Sequence, residues 1–300
     1  MRLKLRARFI AFVAIALLAV LLPSATSATA HSDAHAARIT IRVPTLMYHY
    51  ISAPPADADI SLRVLAVSPA HFLQQMQWLK THGYTSITPD MLSEALLKGT
   101  KLPPKSVLLT FDDGYIDAYT NAFPILKQFG FVGTFFIVTD WVDQGRSGYL
   151  NWAQIKEMAQ AGMSIEAHSR THENMSGRDK AWLDNEIVGS MNAIETHIGA
   201  RPRFFAYPAG RYDLNTLKAI RAAGLTAAFN TRSTVSNSTA DMLTLPRLRV
   251  RGSSTVAEIA GSTNQTTAIG VAGTVALLII LAISYLAGGY VAGRMARFHG

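Results

Sequence analysis

Three small groups of residues in this 300-residue chain could do chemistry together. Asp112-Asp113-Gly114 follows an apolar run, Ser106–Phe111. His168-Ser169-Arg170-Thr171-His172 follows another, Met163–Ala167. His49 stands near the end of a third, Pro44–Tyr50. Each group alone has an ordinary structural explanation. Adjacent aspartates after a strand commonly make a turn and cap a helix. An H-x-x-x-H pair is more often coincidence than a site, and a lone histidine is usually a hydrogen-bonded core residue. Placed side by side, however, they make a set. Two imidazoles and one carboxylate form an open three-ligand metal site, with water in the remaining position. A second carboxylate beside the ligand can serve as general base, and a histidine on the other side can protonate a leaving group. The inventory suits hydrolysis of an amide or ester. Zinc suits it best, and Asp/His₂ sites also accept iron, cobalt, nickel or manganese.

One sheet edge must present all three groups for this to work. The spacing of Phe72, Leu73, Met76 and Leu79 predicts a helix over His71–His82, stopped by Gly83. Tyr84–Ile87 is strand-like, and Thr88 caps a helix over Pro89–Lys98 with Pro89 in its first turn. Strand Ser106–Phe111 precedes helix Ala118–Gly130, and strand Phe131–Val138 precedes helix Trp152–Gly162. Strand Met163–Ala167 precedes helix Arg178–Ile198, and strand Phe204–Tyr207 precedes helix Leu214–Gly224. Strand Thr226–Asn230 follows. This alternation predicts an α/β domain with a mainly parallel sheet, open or closed into a barrel. In such sheets chemistry collects at the C-terminal strand ends, which is where the three groups fall.

The chain is 49% hydrophobic and 16% charged, with a net charge of +8 and no cysteine. Disulfides, thiolate nucleophiles and Cys-ligated zinc are therefore excluded. Six cations sit at the ends: Arg2, Lys4, Arg6, Arg8, Arg294 and Arg297. Without them 22 basic residues face 20 acidic ones, so the central part is near neutral and no nucleic-acid partner is expected. Residues 1–30 have the form of a secretory signal, cleaved or kept as an anchor. Basic Met1–Arg8 is followed by apolar Phe9–Leu22 and by Ala28-Thr29-Ala30. Residues 31–43 form a mobile lead-in, 44–251 the domain, and 252–267 a flexible Ser/Thr/Gly-rich linker. Ala268–Ala292 is uncharged over 25 residues. As a helix it would be about 37 Å long, enough for a tilted transmembrane span. Arg294 and Arg297 place the tail 293–300 in the cytoplasm. The expectation is a single-pass cell-membrane protein whose domain faces outward.

Thr110-Phe111-Asp112-Asp113-Gly114 and His168-Ser169-Arg170-Thr171-His172 resemble the TFDDG and HSxxH motifs of the polysaccharide deacetylases, the NodB-homology or carbohydrate esterase four family. The resemblance spans roughly Pro44–Arg251. It implies a distorted barrel of mainly parallel strands ringed by helices. It further implies Asp112 as general base and Asp113, His168 and His172 as metal ligands. Phe205-Ala206-Tyr207-Pro208-Ala209-Gly210 resembles the family's third motif. There Tyr207, Pro208 and Ala209 would form the oxyanion and substrate-binding turn, with the Ala209 N–H as donor. Two departures stand out. Ala206 occupies the position of an arginine that orients the catalytic aspartate, and Arg203, Arg247 and Arg249 are the candidates to replace it. The family's C-terminal acid histidine is also missing from Thr244–Val250. One branch supplies the acid from an N-terminal M-Y-H strand, and Leu46-Met47-Tyr48-His49 is similar to it, which makes His49 the general acid. That branch includes deacetylases of poly-β-1,6-N-acetylglucosamine. The resemblance thus implies metal-dependent N-deacetylation of an N-acetylglucosamine-containing polysaccharide. The alternatives are an O-acetyl esterase on a surface glycan and a catalytically impaired glycan-binding protein.

Overall fold

Along the central strands, successive side chains point to opposite faces, and both faces are apolar. The computed structural model describes residues 39–54 and 57–263. The expected signal segment, transmembrane helix and tail lie outside the described residues. Among the described residues, no helix is long and apolar enough to cross a membrane.

In chain order the elements are β1 (Thr40–Arg42), β2 (Thr45–Tyr48), α1 (Ile60–Leu65), α2 (Pro69–Thr81), β3 (Thr85–Ile87), α3 (Pro89–Lys98) and β4 (Ser106–Phe111). Next come α4 (Phe123–Phe129), β5 (Thr134–Ile137), α5 (Thr139–Asp143), α6 (Trp152–Gln160), β6 (Ser164–Ala167) and α7 (Lys180–Ile198). The chain goes on through β7 (Phe204–Ala206), α8 (Leu214–Ala222), β8 (Ala227–Phe229), β9 (Ser236–Ser238), β10 (Leu248–Arg249) and α9 (Val256–Thr263). The main sheet runs β10-β2-β4-β5-β6-β7-β8 and all its pairings are parallel. β3 pairs with the first half of β4, below β5 on the same side.

The sheet curls until its two edges are joined by one stretch of chain. Leu245 bridges to Phe229 at the end of β8, and Leu248–Arg249 pair with Leu46–Met47 of β2. Leu108, Phe136, Phe204, Ala206 and Phe229 fill the inside of the curl, with Leu92 and Leu96 of α3 packed among them. Leu46, Leu109, Phe135, Ile165 and Phe205 face outward onto the helices. The expected distorted barrel is therefore present as a curled parallel sheet, with α3 packed into its inner core and other helices against its outer face.

Three local expectations need correction. The lead-in is structured at its end: β1 pairs antiparallel with β9, and Ile41 is buried. The linker is also structured, because α9 occupies 256–263. Its start is fixed by a reciprocal cap that residue composition hides: the Thr255 N–H donates to Glu258 Oε2 and the Glu258 N–H to Thr255 Oγ1. Ile259 then buries against the core. The predicted helix Ala118–Gly130 opens with a π-helical turn over Ala118–Ala122. Pro124, which cannot donate an amide bond, sits in the first turn of α4.

Gly133 marks the tightest packing at the start of β5. A Cβ there would lie 2.9 Å from Leu126 Cδ1, 3.0 Å from Phe135 Cε2 and 3.1 Å from Phe111 Cε2. Gly133→Ala should cost about 1–3 kcal/mol of stability in urea denaturation. An unchanged midpoint would show that this layer is loose.

Candidate active site and metal centre

Asp112 follows β4 on the inward face, in step with Leu108 and Thr110. The chain that closes the curl carries Arg247, which is fully buried. Its Nη1 donates to Asp112 Oδ1 at 2.6 Å and its Nη2 to Asp112 Oδ2 at 2.7 Å. The Arg247 Nε donates to the Asn230 carbonyl at 3.1 Å, which fixes the plane of the guanidinium. Burial alone would raise the Asp112 carboxyl. The Arg247 guanidinium, helped by His168 and His49, outweighs it and holds the group below the usual carboxylate range. Of the three candidate arginines, Arg247 thus takes the orienting position. Arg203 instead pairs on the surface with Asp90, and Arg249 is exposed.

Asp113, His168 and His172 converge beside this pair. Asp113 Oδ1 lies 3.3 Å from His168 Nε2 and 3.2 Å from His172 Nε2. The three ligand atoms lie within 4.8 Å of one another. His168 Nδ1 is 2.7 Å from the Ala206 carbonyl, an acceptor only, so Nδ1 carries the hydrogen. Burial would lower the ring's pKa, but Asp113 and Asp112 outweigh it and raise it; a bound cation would instead take the Nε2 lone pair. Asp113 Oδ1 is buried and has no hydrogen-bond donor. Lone pairs gathered in this way fit a bound cation. The residues present therefore suit a divalent metal.

The loop bearing the histidines is held from behind. The backbone N–H groups of Arg170 and Thr171 both donate to Glu186 Oε2 on α7, at 3.0 and 2.9 Å. The Arg170 side chain donates to Asp140 at 2.8 Å. Among the described residues, five non-glycines have positive φ, and four belong to this site: Asp113, Ser169, His172 and Ala209. Such conformations cost about 1–3 kcal/mol each, and they concentrate where side chains must be aimed.

His49 lies just beyond β2, and its charge environment consists of Asp113, Asp112, Arg247 and His168. Burial pushes its pKa below the ordinary value, against the pull of the two aspartates. Its Nδ1 is buried with no partner. In the Tyr207–Gly210 turn only one predicted element is available to a substrate. The Tyr207 N–H is committed to the Phe229 carbonyl and its hydroxyl to the Leu243 carbonyl. Pro208 has no N–H. The Ala209 N–H donates to no protein acceptor among the described residues. The structure therefore brings together Asp112, Asp113, His168, His172 and His49. Tyr207 and Pro208 support the turn that carries Ala209. Residue types alone gave no hint of Glu186, whose partners are backbone amides.

Two outcomes follow from this geometry. Dialysed against zinc, the protein should hold one equivalent of metal by mass spectrometry. Asp113→Asn and His168→Ala should lose it, and Asp112→Asn should keep it. Equal loss in all three would mean the ligand set is misassigned. Arg247→Lys keeps the charge but not the two-pronged geometry. It should lower kcat for the reaction on the order of 10²-fold with KM little changed, as misaimed catalytic groups do. A change in KM alone would place Arg247 elsewhere in the chemistry.

Known proteins bear on this arrangement. A family model described as polysaccharide deacetylase matches residues 99–228. The Bacillus subtilis (strain 168) protein YxkH is 34% identical over 209 residues, covering 70% of this chain and 71% of YxkH. A poly-beta-1,6-N-acetyl-D-glucosamine N-deacetylase of Escherichia coli (strain K12) is 24% identical over 258 residues, covering 72% of this chain. This chain spans only 37% of that enzyme's length. The Streptococcus pyogenes deacetylase PplD, solved in complex with acetate, superposes with a TM-score of 0.69 at 29% identity. It covers 74% of this chain and 98% of its own. With these matches added to the two motifs and the sheet that aims them, the chain belongs to the polysaccharide deacetylase family.

Proposed function

We propose that this protein removes N-acetyl groups from an N-acetylglucosamine-containing polysaccharide outside the cytoplasm, and that a divalent metal, zinc foremost, is required. One observation carries the reading. A buried carboxylate held ionised by Arg247 lies beside a metal-ligand trio, with a half-buried histidine and an unpaired backbone N–H at the same sheet edge. Arg247 also answers the best argument for an inactive glycan binder, the missing orienting arginine. The relative named as a poly-beta-1,6-N-acetyl-D-glucosamine N-deacetylase supports the amide as the target.

A cation held by Asp113, His168 and His172 would polarise the acetyl carbonyl and acidify a neighbouring water. Asp112 accepts a proton from the attacking water, whose oxygen adds to the acetamide carbon. The two bonds to Arg247 leave Asp112 lone pairs free for this and prevent the carboxylate from turning away. The Ala209 N–H donates to the carbonyl oxygen as negative charge grows there. His49 gives a proton to the nitrogen as the carbon–nitrogen bond breaks. Burial lowers its pKa, so the ring must take up a proton, drawn by the charges of Asp113 and Asp112, before it can give one. The products are acetate and a free amine on the polymer.

The sequence of the two ends supports an outward-facing, tethered domain. Basic Met1–Arg8 leads into apolar Phe9–Leu22, and uncharged Ala268–Ala292 is followed by Arg294 and Arg297. Protease added to intact cells should remove the domain; protection of the domain would contradict this placement.

Acetate release should be measured on poly-N-acetylglucosamine, peptidoglycan fragments, chitin oligomers and acetylated xylan. The N-acetylated glycans should be hydrolysed and the O-acetylated xylan left almost intact. With metal supplied, Asp112→Asn and His49→Ala should each lower kcat about 10²–10⁴-fold, the usual worth of general acid–base groups. Full activity of Asp112→Asn, or a preference for xylan, would overturn the proposal.

A further inference from the structure

One side of the site is walled by four aromatic rings that the chemistry above leaves unused. They come from the β2 exit (Tyr50), the turn after Asp113 (Tyr115), α5 (Trp141) and the loop after it (Tyr149). The rings follow one another in a row. Tyr50 stacks on Tyr115 at 3.7 Å, and Tyr115 lies 5.1 Å from Tyr149. Tyr149 lies 4.7 Å from Trp141, and Trp141 lies 5.4 Å from the ring of His172. All four are half-buried, so the row is walled in but reachable. The backbone pins it to the catalytic turn: the Ile116 N–H donates to Gly148, and the Leu150 N–H to Gly114, both at 2.9 Å.

Arg146 is the cation of this wall. Its guanidinium carbon lies 4.9 Å from the Trp141 ring centre and 5.0 Å from that of Tyr149. It is exposed and forms no ion pair among the described residues. Most of the neighbouring acids face other groups. Asp112 holds Arg247, Asp113 faces two imidazoles, Asp140 holds Arg170, and Asp143 accepts from Trp152 Nε1. Asp117 is buried, and its Oδ1 has no hydrogen-bond partner. The wall therefore offers aromatic surface and one exposed cation, Arg146, seated on its rings.

We propose that this row is the subsite for the sugar next to the one being deacetylated, and that Arg146 makes it select a neutral N-acetylated unit over a cationic glucosamine unit. This rests on the N-deacetylase reading above. The reaction itself creates the discriminated group, since every turnover turns an uncharged acetamide into an amine that takes up a proton. A freshly deacetylated unit is then a poor neighbour for the next event. The polymer product carries separated glucosamines rather than runs of them.

The test uses two N-acetylglucosamine oligomers, one fully acetylated and one with a single glucosamine beside an acetylated unit. The assay pH is kept below the pKa of the amine. The wild type should favour the fully acetylated oligomer by about tenfold in kcat/KM, the order expected for two like charges near a protein surface. Arg146→Gln should bring the ratio close to one, and Arg146→Glu should invert it. Raising salt from about 0.05 to 0.5 M should shrink the wild-type ratio, because the screening length falls severalfold. The Arg146→Gln ratio should not respond. A wild-type ratio near one, or a ratio unchanged by both substitutions, overturns the inference while acetate release upholds the deacetylase reading. Absence of acetate from every oligomer overturns both.

Discussion

The buried pair between Asp112 and Arg247 is the constraint around which the rest of this structure is arranged. Such a pair contributes little net stability, because both charges lose their water. Removing one partner is a different matter. It strands a charge in the interior, at a cost of about 3–5 kcal/mol. The interaction is therefore better understood as an aiming device. It keeps a buried carboxylate ionised where burial alone would protonate it, and two parallel hydrogen bonds fix its plane. The two residues are 135 positions apart. They meet because the sheet curls until Leu245 reaches β8 and Leu248 reaches β2, leaving Arg247 between the edges and pointing inward.

The same economy of position extends to the metal ligands. Each stands at a C-terminal strand end or in the turn just after it, where the sheet's backbone hydrogen bonds run out. Side chains from elsewhere take over from those bonds. Glu186 on α7 accepts two loop amides there; at the other end of β7, Glu166 accepts the N–H groups of Arg203 and Phe204 where that strand begins. The left-handed backbone at Asp113, His172 and Ala209 is stable only inside such a frame. Helix α7, whose buried face carries Glu186 together with Leu183, Ile187 and Met191, ties the strained loops to the bulk of the fold.

Much of the catalytic layout was legible in the sequence, for a physical reason. Asp112, Asp113, His168 and His172 act through chemistry that only a few residue types can perform, and they follow apolar runs that form strands. His49 was legible only through its resemblance to an M-Y-H strand, since an isolated histidine carries no distinguishing pattern. Arg247 was one of three candidates, because nothing local marks the arginine that will be buried; the choice is made by the closing of the sheet. Ala206 shows the opposite limit. Its side chain lacks the family's arginine, yet its carbonyl fixes the tautomer of His168, and a carbonyl is the same in every residue. Helix α9 was hidden under a composition that suggested a linker, although the Thr255–Glu258 cap was present in the letters. β1 was hidden because a three-residue strand has no period to detect.

Arg247 acts through Asp112 rather than on substrate or metal. A double-mutant cycle on acetate release tests this most directly, using Asp112→Asn, Arg247→Lys and the combined variant, each loaded with the same metal. If the account holds, the losses in kcat/KM are strongly non-additive, and the double variant is no slower than Asp112→Asn alone. Losses that add in full would show two independent roles and contradict it.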